Sequence, residues 1–363
     1  LYNSATVDEM KNKKSMGSWV GIGWALGLGS ISYDDATGDY LLSLDGQSSY
    51  RMVLDASGTY HTDPESSFKI TRAGQQWDVY DTAGVYYRFG GTADSQQYYD
   101  SSTYYRWDLS LVQDTNAANA VTVTYVQDKW TDSSTGKTHV RAAYPTHVKY
   151  NNNLVDIVFN STYDKTSGTE ELRKDTPVSP KPKVAETRHL NSIEVKVSGS
   201  LVRKYVFTYT TTDDVYSSDY GGTYYAGKHK LVSITEIGAD NTSTLPATTF
   251  SYADKRIYHY DDCDYEYTGN PGNPASLYWP YLTSVTNGFG ATVTYAYTEN
   301  PTVTSSLWHI WTREVVTSLT QNPGVGSSVT TQYAYTGDPH YLPRGPWQHA
   351  WDDVFKGFPK VRV

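Results

Sequence analysis

A single cysteine, Cys263, stands in 363 residues. No disulfide can form within the chain, so the small stapled-domain class is excluded. Long apolar runs are also missing. The longest, Trp19 to Ile31, is interrupted by Gly21, Gly23, Gly27 and Gly29 and falls short of the ~20 apolar residues a membrane helix needs. Helical periodicity is nearly absent: Tyr2 to Lys14 and Asp352 to Phe355 have room for a turn each. Basic charge is in deficit, with 30 Lys and Arg against 39 Asp and Glu and a net charge of −9. That balance argues against a nucleic-acid backbone as partner.

Catalytic signatures are missing as well. There is no G-x-S-x-G elbow. The nine histidines, His340 and His349 among them, show no metal-site spacing. Gly21-x-Gly23-x-x-x-Gly27 is spaced wrongly for a dinucleotide loop and no βαβ unit follows it. Neither a cofactor nor an enzyme activity is expected. Glu65, Asp78 and Glu236 are carboxylates that a glycan-acting enzyme would need, but nothing in the sequence pairs them. Asp261, Asp262, Asp264 and Glu266 cluster around Cys263 as hard oxygen ligands for calcium. They lack the D-x-[DN]-x-[DN]-G pattern, so a solvated acidic loop is the plainer reading. The chain opens on Leu1 rather than Met, which reads as a piece of a longer polypeptide.

What the chain has is tyrosine: 34 of them, with 10 Trp and 8 Phe. Counting glycine and leaving tyrosine out, the apolar share is about 37%, against about 45–50% in an ordinary globular protein. A thick aliphatic core is therefore not expected. Tyrosine takes its place, with an apolar ring and a hydroxyl that stays wet. The tyrosines are ordered. Leu109 to Tyr125, Leu190 to Tyr209, Leu231 to Tyr252, Leu282 to Tyr297 and Val316 to Tyr335 each read as strand, turn, strand closed by aromatics. A repeated hairpin builds an extended array. Shorter hairpins precede it: Tyr40 to Leu44 with Tyr50 to Leu54, and Gln76 to Tyr80 with Val85 to Phe89. Ser18 to Ile31 is expected to open the sheet as a glycine-rich strand. Asp164 to Glu186, charged and carrying Pro177, Pro180 and Pro182, reads as an exposed loop, and Asp213 to Lys230 and Tyr258 to Trp279 read as irregular stretches.

The fold class expected is all-β: a curled antiparallel sheet or spiral of repeated hairpins, almost without helix. Residues 1–363 read as one hairpin array, with a glycine and aromatic opening segment over 1–107 and tyrosine-closed repeats over 108–363. Trp24, Tyr125, Tyr209, Tyr252, Tyr295, Tyr297, Tyr333 and Tyr335 are the residues expected to hold it together. Tyr-x-Tyr puts both rings on one face, where neighbouring strands supply matching rings. Trp308, Trp311, Trp347 and Trp351 crowd the C-terminal region and are the candidates for stacking on a sugar or a partner protein.

Several segments also resemble one family. Gly21-Ile22-Gly23-Trp24-Ala25-Leu26-Gly27-Leu28-Gly29-Ser30-Ile31 is similar to the G-x-G-W-S-L-G-x-x-S-I opening of Rhs/YD-repeat proteins, which begins the shell-forming part of Tc toxin B components. Tyr50-Arg51-Met52-Val53, Asp63-Pro64-Glu65-Ser66, Trp77-Asp78-Val79, Tyr87-Arg88-Phe89-Gly90, Tyr105-Arg106-Trp107, and Leu245-Pro246 before Phe250-Ser251-Tyr252 follow in family order. Phe355-Lys356-Gly357-Phe358-Pro359-Lys360-Val361 is similar to the segment before that family's main repeats. The resemblance implies a secreted or cell-surface shell segment that encloses or presents a toxic protein cargo. Its partners would be the rest of the polypeptide or neighbouring copies. Departures are visible: Thr298 follows Tyr297 and Thr336 follows Tyr335, where the family places Asp. The family's self-cleaving aspartates and toxin domain have no counterpart here, so neither activity carries over. Two other readings remain: a surface adhesion or carbohydrate-binding module, and a glycan-acting enzyme.

Overall fold

The computed structural model describes residues 1–4, 7, 18–34, 37–46, 49–163, 171–172, 184–211, 215–217, 223–225, 229–259, 275–302, 311–336, 340–342, 354–357 and 360–363. Among them the chain is nearly all strand, and the strands pair antiparallel throughout. No helix among the described residues is long and apolar enough to cross a membrane.

The first third closes on itself. Seven short strands follow one another: β1 (Ser30–Asp34), β2 (Asp39–Ser43), β3 (Tyr50–Leu54), β4 (Tyr60–Asp63), β5 (Lys69–Ala73), β6 (Gln76–Tyr80) and β7 (Tyr86–Phe89). Aspartates shape the turns between them. The Asp55 carboxylate accepts from the backbone N–H of Ser57 and Thr59 at 2.8 and 2.9 Å. Asp81 does the same for Ala83 and Val85, both at 2.9 Å. Such side-chain bonds favour a turn over continued strand. Beyond β7 come β8 (Gln96–Asp100) and the longer β9 (Thr103–Gln113). On one edge β9 pairs with β7 and β8, through Val112↔Tyr87 and Trp107↔Gln96. On the other edge it meets β1, through Trp107↔Ile31. The ring β1 to β7 plus β9 is thus a closed barrel of eight strands.

This differs from the open curled sheet expected of the sequence. The reason lies in the short strands, most of which place apolar residues inward at alternate positions. Eight strands make the barrel size whose interior side chains can fill, and closure removes two strand edges. The interior is packed with Ile31, Leu42, Met52, Ile70, Trp77, Val79, Phe89, Trp107 and Leu109, all buried. The low aliphatic content of the whole chain therefore conceals a filled core in this third.

The remaining strands leave the barrel as an arm. β10 (Ala120–Thr131) pairs with the last residues of β9 through Val121↔Val112. β11 (Thr138–Tyr150) and β12 (Val155–Tyr163) follow, turning at Asn151, Asn152 and Asn153, whose φ angles are all positive. The strands Arg188–Val197, Ser200–Thr211, His229–Gly238, Thr248–His259, Ala275–Thr286, Thr292–Thr302, Trp311–Asn322 and Val329–Gln332 are added in chain order, each beside its predecessor. Barrel and arm form one sheet of twenty strands among the described residues. The repeats read from the sequence fall in this arm, as antiparallel strands added one after another.

Several segments depart from their sequence reading, among them Tyr258 to Trp279, whose two ends are paired strand. Only Ser30–Asp34 of the glycine-rich opening is strand. Residues 18–29 instead run as a strap across the arm, because Gly21, Gly23 and Gly29 adopt φ of 101°, 75° and 107°, which breaks a strand. The far end of the Asp164–Glu186 loop is not exposed. Val184 is fully buried against Tyr99 and Tyr105, and Thr187 donates to Asp128 at 2.9 Å. Val215–Ser217 and Thr223–Tyr225 pair within the second stretch read as irregular.

Candidate functional site: a tyrosine clasp repeated along the arm

At five places the register between neighbouring strands slips by one residue in the same way. Arg88 pairs with Leu111 but Phe89 with Leu109, leaving Ser110 without a partner on that strand. Asn191, Val232, Thr283 and Thr317 are left over in the same manner. Each is a β-bulge, which bends the strand and increases its twist. The residue before each bulge is Leu109, Leu190, Leu231, Leu282 or Val316. The four leucines are buried.

A tyrosine closes every one of these bulges. The hydroxyls of Tyr125, Tyr209, Tyr252, Tyr297 and Tyr335 donate to the carbonyls of Leu109, Leu190, Leu231, Leu282 and Val316, at 2.7, 2.8, 2.6, 2.9 and 2.9 Å. A bulge takes the backbone ladder out of step, and a buried carbonyl there needs a donor from elsewhere. The phenol supplies it while its ring covers the leucine. At three of the bulges the extra residue adds a second bond. Ser110, Thr283 and Thr317 donate to the carbonyls of Arg88, Ser251 and Ala296 at 3.0, 3.1 and 3.3 Å. The clasps also connect. Tyr209 lies across from Leu231, Tyr252 across from Leu282 and Tyr297 across from Val316, so each donor tyrosine faces the next acceptor residue on the neighbouring strand.

Among the other bulges, that at Arg141 also has a tyrosine, Tyr105, donating to the preceding Val140 carbonyl at 2.8 Å, while that at Thr146 between β10 and β11 has no clasp of this kind. Counting along β12 as in the other repeats, its tyrosine position holds Ser161. Phe159, two residues earlier, keeps the ring position and packs with Trp19 at 6.1 Å. Tyr295 and Tyr333 hold that same earlier position in their repeats. Tyr295 packs against the Leu231, Phe250 and Leu282 cluster. Tyr333 is half-buried, with its N–H on the Thr317 carbonyl at 2.8 Å.

The strap crosses this stripe of rings. Leu190 donates its N–H to the Trp19 carbonyl, and Ile22 donates to the His229 carbonyl, both at 2.8 Å. A Cβ on Gly21 would sit 3.1 Å from the Leu231 nitrogen and 3.2 Å from the His229 oxygen, so only glycine lets the strap lie this close. The Trp24 indole packs edge-on against Phe250 at 4.8 Å and Tyr2 at 5.4 Å. Its Nε1–H donates to the Tyr252 hydroxyl at 2.8 Å. The hydroxyl of Tyr2 in turn accepts from the Leu282 N–H at 2.9 Å.

Burial raises the phenol pKa values. Tyr125 and Tyr209 are pushed up by it, and Tyr252 to about 12, the Trp24 N–H pulling the other way. These phenols are therefore protonated donors at ordinary pH. Tyr252→Phe keeps the ring and removes two hydrogen bonds, and is expected to cost about 1–2 kcal/mol by urea unfolding. A raised folded pKa means stability that is whole below pH 10 and lost as pH rises through about 12. The variant is expected to lack that part of the alkaline fall.

The other residues singled out from the sequence are not drawn into one site. Glu65 bonds His61 at 3.1 Å, Asp78 accepts from Gln76 and Tyr86, and Glu236 pairs with Arg203 at 3.6 Å. Asp261, Asp262, Asp264, Glu266, Trp308, Trp347 and Trp351 lie outside the described residues, as does the side chain of Trp311. The bulges were missed in the sequence. Their signal is a Leu-x-Ser or Val-x-Ser triplet at the head of four of the five repeats.

No family model matches the chain, and no curated protein matches it. Solved structures do. The N-terminal domain of effector protein SpvB from Salmonella typhimurium strain LT2 aligns with a TM-score of 0.43 and 13% identity, over 65% of this chain and 92% of that one. TcdB2-TccC3 aligns with a TM-score of 0.48 and 12% identity, over 91% of this chain and 21% of that one. A Photorhabdus luminescens Tc holotoxin pore aligns with a TM-score of 0.41 and 13% identity, over 87% and 19%. The chain thus spans about a fifth of the length of the latter two.

Proposed function

We propose that this chain is a wall segment of an Rhs/YD-repeat shell, part of a longer secreted polypeptide that encloses or presents a toxic protein cargo. It acts by containment and carries no catalytic activity of its own. The observation that carries the reading is the clasp, repeated at Tyr125, Tyr209, Tyr252, Tyr297 and Tyr335. A bulge at the same step of each repeat bends the sheet the same way each time. Consistent bending turns a ribbon of hairpins into a curved wall. The phenol locks each bend from one face, where the strap then covers the first clasps. The filled barrel is a solid base from which that wall starts. Other parts of the same polypeptide would pair with the last strand, since an uncovered edge invites association.

The test is protease protection in the parent polypeptide. Its cargo region is expected to resist a protease that digests the same region expressed alone. With Tyr252, Tyr297 and Tyr335 all changed to Phe, the wall is expected to loosen and the cargo to be cut. Equal digestion of the cargo inside and outside the parent would overturn the reading.

A further inference from the structure

The hairpin β8–β9 leans over the hairpin β10–β11, and the gap between them is a groove of about 690 Å³. That lies within the range of small-ligand sites. Its floor is tied down. The Gln127 side-chain amide donates to the carbonyls of Ala93, Asp94 and Gln96 at 3.0, 3.2 and 2.6 Å. The Gln96 amide donates to the Gly90 carbonyl at 2.6 Å. The Gln127 NH₂ is thus spent on the backbone and the Gln96 amide is held by one such bond. Both residues line the groove. Tyr98 and Tyr104 line the same groove, half-buried, with ring centroids 5.5 Å apart. Asp100 and Lys137 neutralise one another across it at 3.3 Å. Lys129, on the wall and exposed, forms no ion pair among the described residues.

We infer that this groove binds a saccharide, with Lys129 favouring a sugar that bears a carboxylate. The lining mixes acceptors with donors, the Gln96 and Gln127 amides beside the Tyr98 and Tyr104 hydroxyls and the Lys129 ammonium, which suits a ligand rich in hydroxyl groups, each able to donate and to accept. Aromatic rings beside them suit the apolar C–H face of a sugar ring. Pre-set side chains lose little entropy on binding, which suits a weak, exposed ligand of this class. The ammonium of Lys129 is a mobile point charge able to reach a carboxylate at the ligand's edge. The inference stands apart from the wall. It uses the joint between barrel and arm and none of the clasp tyrosines.

Titration of the purified chain with lactose and with a sialylated lactose, followed by chemical-shift perturbation, tests it. Both sugars are expected to perturb the groove residues. The sialylated sugar is expected to bind about tenfold more tightly, the effect of one weak charge contact. Lys129→Ala sits on the surface and should fold normally; it is expected to bring the two affinities within about twofold. Tyr98→Ala with Tyr104→Ala is expected to weaken both sugars at least about tenfold, with circular dichroism unchanged. If Tyr98→Ala disturbs the hairpin, Gln96→Glu retains its size and moves no ring. It introduces a negative charge that is expected to abolish the preference for the acidic sugar. No perturbation by either sugar, or full binding by the double tyrosine variant, would overturn the site. Equal affinity for the two sugars in the wild type would overturn the role of Lys129.

Discussion

Trp107→Ala is expected to cost about 3–5 kcal/mol and to open the barrel. Trp107 sits on β9 at the residue where that strand touches both β1 and β8. Its side chain is 1% exposed, and its ring lies 5.8 Å from that of Trp77 and 5.9 Å from that of Tyr40. The Arg72 guanidinium caps the group, 4.9 Å from the Trp107 ring and 4.7 Å from that of Trp77. Such cation–π contacts contribute about 0.5–2 kcal/mol. The indole Nε1–H also donates to Gln75 at 3.2 Å. Alanine would leave a cavity beneath the closing strand that neighbours on a closed ring cannot collapse to fill. The measurement is urea unfolding followed by tryptophan fluorescence. Trp107→Phe, which keeps most of the ring volume, is expected to lose clearly less. Equal losses for Phe and Ala would mean that the indole N–H, not the packing, sets the stability there.

The arm could be read from the sequence much more fully than the barrel. The repeats legible in the sequence run from Leu109 to Tyr125, Leu190 to Tyr209, Leu231 to Tyr252, Leu282 to Tyr297 and Val316 to Tyr335. Those same pairs are the acceptor and donor of the five clasps. The repeat was legible because each unit folds largely within itself, so its bond joins residues 15 to 21 apart. Why the tyrosine recurs was not legible. The bulge depends on the register of two strands, and a run such as Leu282-Thr283-Ser284 looks like ordinary strand. Barrel closure was hidden for a similar reason: the contact of β1 with β9 joins Ile31 to Trp107, and no local pattern reports so distant a pairing. β5, Lys69–Ala73, escaped notice because its ITR carries one inward apolar residue, Ile70. The glycine-rich opening misled because Trp, Val, Ile and Leu suggest a strand. Positive φ at the glycines decides otherwise, and only the backbone shows it.

Trp24→Ala is expected to release the strap, at a cost of about 3 kcal/mol. The single side chain holds three things at once: the ring of Phe250, the ring of Tyr2, and the hydroxyl of Tyr252. That hydroxyl is itself a clasp, donating to Leu231. Losing the indole therefore removes cover from one clasp and weakens the anchor of Tyr2, whose hydroxyl accepts from Leu282 in the next repeat. The strap's backbone bonds, Leu190 to Trp19 and Ile22 to His229, lie to one side of Trp24 along the strap. Hydrogen exchange separates local release from global unfolding. In the variant, the amides of Ile22 and Leu282 are expected to exchange faster by about a hundredfold, while barrel amides such as that of Val79 change little. Trp24→Phe, which keeps a ring against Phe250 but no N–H, is expected to speed exchange by about tenfold. Uniform acceleration across barrel and arm would instead mean that the strap and the sheet unfold as one unit, with Trp24 serving the whole fold rather than the lock on the clasps.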